Sequence, residues 1–212
     1  EVIMQFYFPV DVKRAYILEV IKYWVFSCHV DGFHLLGVHI PTALLATEPM
    51  LGNTKLFYTD FSCDEIYDNS DIPAYKNLAV YNDDFMYAVR HFLKSDEGSL
   101  LPALGSLRKN PRQTGVINYV TNYSGFTLAD LVSYDRKHNE DNGEENRDGE
   151  NYNVSWNCGF EGRTRKKSVM ELRGRQMKNA MLLLLTAQGT PMIVSGDEFG
   201  FSHGGNNNPY CI

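Results

Sequence analysis

Cys28-His29-Val30-Asp31-Gly32-Phe33-His34-Leu35-Leu36 is the stretch on which the reading of this 212-residue chain turns. It follows a helix-like pattern and predicts a short strand over residues 29–35. Upstream, over residues 12–26, Val12, Ala15, Tyr16, Leu18, Ile21, Tyr23 and Trp24 recur at helical spacing and predict an amphipathic helix. Downstream, residues 55–60 predict a second strand, entered after Gly52-Asn53. A helix is expected over 83–93 and a strand over 115–121. Residues 173–187 are strong helix formers closed by Gln188-Gly189, and 190–195 predict a last strand. Strands separated by long helical or mixed connections predict parallel β/α units. The alternation alone leaves an open sheet and a closed barrel both available.

Composition narrows the partners. Hydrophobic residues make up 43% and charged residues 22%, as in an ordinary globular domain with a sizeable core. The most apolar run, 181–186, is far too short to cross a bilayer. A net charge of −6 argues against a nucleic acid held by its phosphates and is compatible with a neutral polymer. Cys28, Cys63, Cys158 and Cys211 show no CxxC pair and no histidine at finger spacing, so neither a structural zinc nor a disulfide framework is expected. No targeting segment is visible at Glu1, and any such segment would lie upstream.

The opening stretch resembles the strand that carries the nucleophile in the α-amylase superfamily, where the pattern is Val-Asp-Gly-Phe-Arg-Phe-Asp. A longer passage makes the resemblance specific. It runs from Ile117-Asn118-Tyr119-Val120-Thr121-Asn122-Tyr123-Ser124-Gly125-Phe126-Thr127-Leu128 through Leu131-Val132-Ser133-Tyr134 and Lys137-His138-Asn139 to Ser155-Trp156-Asn157-Cys158-Gly159. Gly189-Thr190-Pro191-Met192, Gly196-Asp197-Glu198-Phe199-Gly200 and Gly204-Gly205-Asn206-Asn207-Asn208 continue it. Isoamylases and bacterial glycogen-debranching enzymes carry closely similar passages. The resemblance implies an α/β chain forming the C-terminal part of a (β/α)₈ TIM barrel, about strands four to eight. Residues 1–212 would be one partial barrel domain with a surface excursion at about 139–158. A half barrel would leave exposed edges, so a longer parent chain is expected.

The resemblance also implies where the chemistry should be. Retaining glycoside hydrolysis needs a nucleophilic carboxylate and a carboxylic acid. The nucleophile position is Leu36, the arginine position beside it is His34, and the acid position after the next strand is Thr59. The family's His-Asp pair before Gly-Phe-Thr is here Tyr123-Ser124. No catalytic residue is therefore assigned. Leucine has no nucleophilic atom, and a threonine hydroxyl does not act as a tuned carboxylic acid. With the carboxylates gone, so is their buried charge repulsion, and Leu36→Asp is expected to cost stability.

In this it is similar to the non-catalytic plant isoamylases of the isoamylase 2 group. That likeness implies a subunit partnering an active isoamylase in amylopectin synthesis in the plastid stroma, in contact with α-glucan and with neither nucleic acid nor membrane. The alternative is an active α-1,6-glucosidase with relocated carboxylates such as Asp60, Asp64 or Glu65. Tyr58, Phe61, Tyr123 and Phe126 are candidate stacking surfaces for glucose rings. No cofactor or metal is expected. His34 with Cys28 and His29 lacks a full ligand set and is expected to fill the vacated pocket. Glu144, Asn146, Asp148 and Gly149 resemble the opening of a calcium loop, but Ser155 stands where a bidentate glutamate is required.

Overall fold

Leu56, inside the second predicted strand, is completely buried in the computed structural model. The structure describes residues 10–37, 39–67, 73 and 75–209, with side chains from residue 14 onward. They fall into two units, one reaching to Tyr81 and including Asn110–Val116, the other comprising Asn82–Lys109 and the residues from Ile117.

In the first unit, helix α1 (Val10–Cys28) leads into strand β1 (Gly32–His34). Helix α2 (Thr42–Thr47) and a 3₁₀ turn (Pro49–Leu51) connect it to β2 (Lys55–Tyr58), and the short α3 (Cys63–Ile66) precedes β3 (Leu78–Tyr81). The strands pair in parallel, with Phe33 opposite Leu56 and Leu56 opposite Leu78. Gly32 permits the first pairing, since a Cβ there would stand 2.7 Å from the Lys55 carbonyl oxygen. Ile21, Leu45, Leu51, Leu56, Phe61 and Leu78 form the core.

The predicted helix is present, and only part of its predicted apolar face is buried. Ile21 is buried and Leu18 half-buried, whereas Ala15, Tyr16, Tyr23 and Trp24 are exposed. Val12's side chain lies outside the described residues. Periodicity scores tyrosine and tryptophan as apolar, although their polar ends favour the surface. β3, too short to show a period of its own, was not anticipated.

The second unit holds α4 (Asp83–Lys94), α5 (Leu100–Leu107), α6 (Leu128–Leu131) and α7 (Lys167–Thr186). The Asn82 side chain accepts from the Phe85 amide to cap α4, and Asp83 and Asp84 lie in the first turn, where the helix dipole favours acids. α5 was hidden by Pro102, which sits where helix amides lack partners anyway. α7 starts six residues before the predicted 173. β4 (Gly115–Asn118) crosses into this unit at Ile117 and pairs in parallel with β5 (Thr190–Pro191), matching Ile117 to Thr190. β5 is far shorter than the predicted 190–195 because β4 ends at Asn118. Phe85, Val89, Val120, Phe126, Leu128, Leu131, Tyr134, Ala180 and Leu184 make the core. Arg90, buried among them, donates to the carbonyls of Val120 (2.9 Å) and Asn153 (2.8 Å). Burial lowers its pKa to about 10, which leaves it charged at neutral pH.

Residues 139–158 contain one 3₁₀ turn (Glu140–Asn142) above a floor of amides. Asn139 is fully buried; it donates to Asp148 O (3.0 Å) and Asn207 Oδ1 (2.9 Å) and accepts from the Asn207 amide (2.9 Å). Asn142 and Asn208 donate to Asp148 Oδ2 at 2.6 and 2.8 Å. These bonds hold the Asp148 carboxyl below its ordinary value. Gly149 passes over the floor with φ +70°, where a Cβ would stand 2.2 Å from Asn207 Oδ1.

Asn139→Ala strands the Asn207 amide and the Asp148 carbonyl, and should cost about 2–4 kcal/mol in urea unfolding. Asp148 has a lowered pKa in the folded state, so its contribution is complete above the ordinary value of 3.8 and disappears as pH falls through the lowered one. The urea midpoint of Asp148→Asn should lie below that of the parent at pH 7 and converge with it in strong acid; a gap constant with pH would contradict this.

Candidate functional site

The C-terminal ends of the strands carry the positions of interest. In the first unit the Leu35 amide donates to Phe57 O (2.8 Å), so pairing of β1 with β2 continues one residue beyond His34. Leu36 follows directly and is 53% exposed. The Tyr58 hydroxyl donates to Gly37 O (3.1 Å) and ties the end of β2 to the turn after Leu36. His34 is exposed in this chain, with its ring 4.8 Å from that of Tyr81. Thr59 and Asp60 are both exposed just past β2. Because Leu36 is more than half exposed, the expected stability cost of Leu36→Asp loses its basis: no buried charge would be created. Burial, then Asp60 and Asp64, push the Cys63 thiol up, away from nucleophilic thiolate character.

In the second unit Tyr123 and Ser124 are exposed, Tyr123 by 76%. Their turn is fixed by the Ser124 amide donating to Asn122 Oδ1 (2.9 Å) and the Gly125 amide donating to Asn207 O (3.0 Å). Asp197 is buried; it accepts from the Thr121 hydroxyl and from the Leu128 amide (2.8 Å). Nothing local to Asp197 indicates these partners, Thr121 and Leu128, which lie some seventy residues away in the chain.

Two of the four candidate stacking residues are corrected. Phe126 has no exposed surface and packs in the second core near Tyr134 (ring centroids 6.3 Å apart), and Phe61, 4% exposed, belongs to the first core. Neither can offer a face to a sugar. Tyr58 is half-buried and Tyr123 open. Among the described residues no group of three or more histidines, cysteines or acids could hold a metal, and no helix is long and apolar enough to span a membrane. Cys28, Cys63 and Cys158 are free thiols; Cys211 lies outside the described residues.

Phe126→Ala should therefore cost about 3–5 kcal/mol in urea unfolding. Tyr123→Ala should stay within about 0.5 kcal/mol. Equal costs for the two would contradict the assignment of one to the core and the other to the surface.

No family model matches the chain. Curated relatives do, over nearly all of it. "Isoamylase SU1, chloroplastic" of Zea mays is 36% identical over 241 residues, covering 94% of this chain and 30% of the relative. "Isoamylase 1, chloroplastic" of Arabidopsis thaliana is 36% identical, covering 94% and 31%. "Glycogen operon protein GlgX homolog" of Haemophilus influenzae is 39% identical, covering 95% and 34%. Among solved structures, a product complex of the multi-modular glycogen-degrading pneumococcal virulence factor SpuA matches with a TM-score of 0.59 at 18% identity, covering 92% of this chain and 20% of that one. That likeness shows the fold, α/β with parallel strands as in the C-terminal part of a (β/α)₈ barrel. The chain spans about a third of the length of the curated relatives named here. Along nearly all of its own length, it is a homologue of isoamylases and GlgX-type proteins.

Proposed function

We propose that this chain is part of a non-catalytic isoamylase-like subunit, closest to the isoamylase 2 group, that associates with an active isoamylase in α-1,6-glucan debranching during starch synthesis. One observation carries the reading: at the strand ends where a barrel enzyme keeps its chemistry, the matched positions hold Leu36, Thr59, Tyr123 and Ser124. They follow three different strands, β1, β2 and β4, so no single shift of register restores them. A fold survives the loss of its site residues, because the two are physically separable. The chloroplastic names of the plant relatives support a plastid, and in this reading the stroma, as the location.

The second reading is an active α-1,6-glucosidase with relocated carboxylates. It draws support from identities of 36–39% to isoamylases and GlgX-type proteins, and from exposed Asp60 beside Thr59. Against it stands the pairing that retaining hydrolysis needs, since Leu36 offers Asp60 no second carboxylate at the nucleophile position.

The test is to assay reducing ends released from amylopectin by the full-length protein alone, then with a purified active isoamylase. The expected result is no release alone and altered activity or particle mass in the mixture. Release by the protein alone, abolished by Asp60→Asn, would overturn the reading in favour of the second. Leu36→Asp should leave release undetectable, since Thr59 supplies no acid, and should change stability by less than about 0.5 kcal/mol.

A further inference from the structure

Arg163-Thr164-Arg165-Lys166-Lys167 places four cations in five residues of a chain whose net charge is −6. The position is electrostatically unfavourable. Arg165, Lys166 and Lys167 stand at the N-terminus of α7, a 20-residue helix with no acid in its first turn and no side-chain cap. That end of a helix already carries roughly half a positive charge and favours anions. Compensation is slight: Lys167 has Glu171 at 3.8 Å, and Lys166 lies 4.9 Å above the Phe160 ring. Among the described residues Arg163 and Arg165, both exposed, form no salt bridge.

Those two arginines border a pocket of about 660 Å³ whose lining includes Ser133, Tyr134, Arg173 and Ser202. Arg173 is only 9% exposed. Its terminal nitrogens donate to the carbonyls of Ser133, Asn157, Phe160 and Gly162, while its Nε is buried without a hydrogen-bond partner. Two carboxylates whose charge reaches Tyr134 offset part of this positive charge, and both are held by hydrogen bonds. Asp130 accepts from Thr127, Ser202 and the His203 amide. Glu161 accepts from the amides of Asp135 and Arg136 and from the Asn157 side chain. Three arginines and no carboxylate line the pocket, with Asp130 and Glu161 behind it, so this concave site keeps an excess of positive charge.

We propose that this pocket binds a phosphate monoester carried on a sugar. Planar guanidinium groups pair with phosphate oxygens through two parallel hydrogen bonds. The volume lies within the range of small-molecule sites, far larger than a bare phosphate needs. That the bearer is a glucose unit rests on the α-glucan reading above; the charge argument does not. The shared ligand chemistry has two sources, a free sugar phosphate and a phosphate ester on an α-glucan chain.

Calorimetry on the full-length protein tests the site with glucose 6-phosphate, glucose and inorganic phosphate. Glucose 6-phosphate should bind at least about tenfold more tightly than either of the others, and should weaken about tenfold or more in the Arg163→Gln/Arg165→Gln double variant and when salt is raised. Both arginines are exposed, so the double variant should keep its thermal midpoint, which is measured as a control. Co-sedimentation with phosphorylated and phosphatase-treated amylopectin separates the sources: a preference for the phosphorylated polymer assigns the chain-borne ester, and no preference, with glucose 6-phosphate bound, assigns the free one. Equal affinity for glucose, inorganic phosphate as tight as glucose 6-phosphate, or an unchanged double variant would overturn the proposal. Neither hydrolysis nor a partner enters these readouts, so failure here is distinguishable from failure of the subunit reading.

Discussion

Parallel strand pairing is the constraint from which each unit takes its form. In the first unit it sets Leu56 opposite both Phe33 and Leu78, which places the core and fixes which chain ends face the strands' C-terminal side. Parallel neighbours cannot be joined by a tight hairpin, so every strand must be followed by a crossover. Those crossovers supply Leu45, Leu51 and Phe61 to the same core. The pairing therefore needs nothing from the side chains beyond the strand ends. Leu36 and Thr59 stand there exposed, with no part in holding the sheet.

The second unit shows the same separation between support and chemistry, with polar atoms as the support. Asp197 receives the Thr121 hydroxyl and the Leu128 amide, and Asn207 receives Gly125 and binds Asn139. A buried carboxylate or amide is tolerated only when its hydrogen-bonding capacity is filled. Tyr123 and Ser124 lie between residues held this way, yet their own side chains are exposed. The turn's shape is thus maintained by residues other than those at the matched catalytic positions. Selection for the fold alone would preserve Asp197 and Asn207 while leaving Tyr123 and Ser124 free to vary.

What was legible in the sequence follows the same division. The helices with strong formers and the strands flanked by turn residues were readable because their signals are local. β3 was not, since four residues from Leu78 to Tyr81 carry no period, and α5 was masked by a proline whose position in the first turn makes it harmless. Tyr23 and Trp24 were counted as core because a hydrophobic pattern ignores the polar end of an aromatic side chain. Phe61 and Phe126 failed in the opposite direction. Their place beside the matched site positions suggests exposure, whereas burial is decided by cores that bring in Ile21 and Leu78 for Phe61, and Phe85 and Leu184 for Phe126, which no short window contains. The amide floor was invisible for the same reason, as Asn139 and Asn207 meet across 68 residues.

Charge adds a consideration that neither fold nor vacant chemistry explains. The acidic residues of the first turn of α4 lie where its dipole stabilises them, and Asn82 caps that helix. α7 reverses both features, with cations and no cap at the same end. If only stability governed the sequence, the first turn of this 20-residue helix would be an easy place to gain it, at about 0.3–1 kcal/mol for each favourable charge. Arg163 and Arg165 instead add repulsion there while making no salt bridge among the described residues. Local consistency is the rule in natural chains, and sustained violations concentrate where a sequence answers to something besides folding. A ligand bearing negative charge would turn this violation into complementarity.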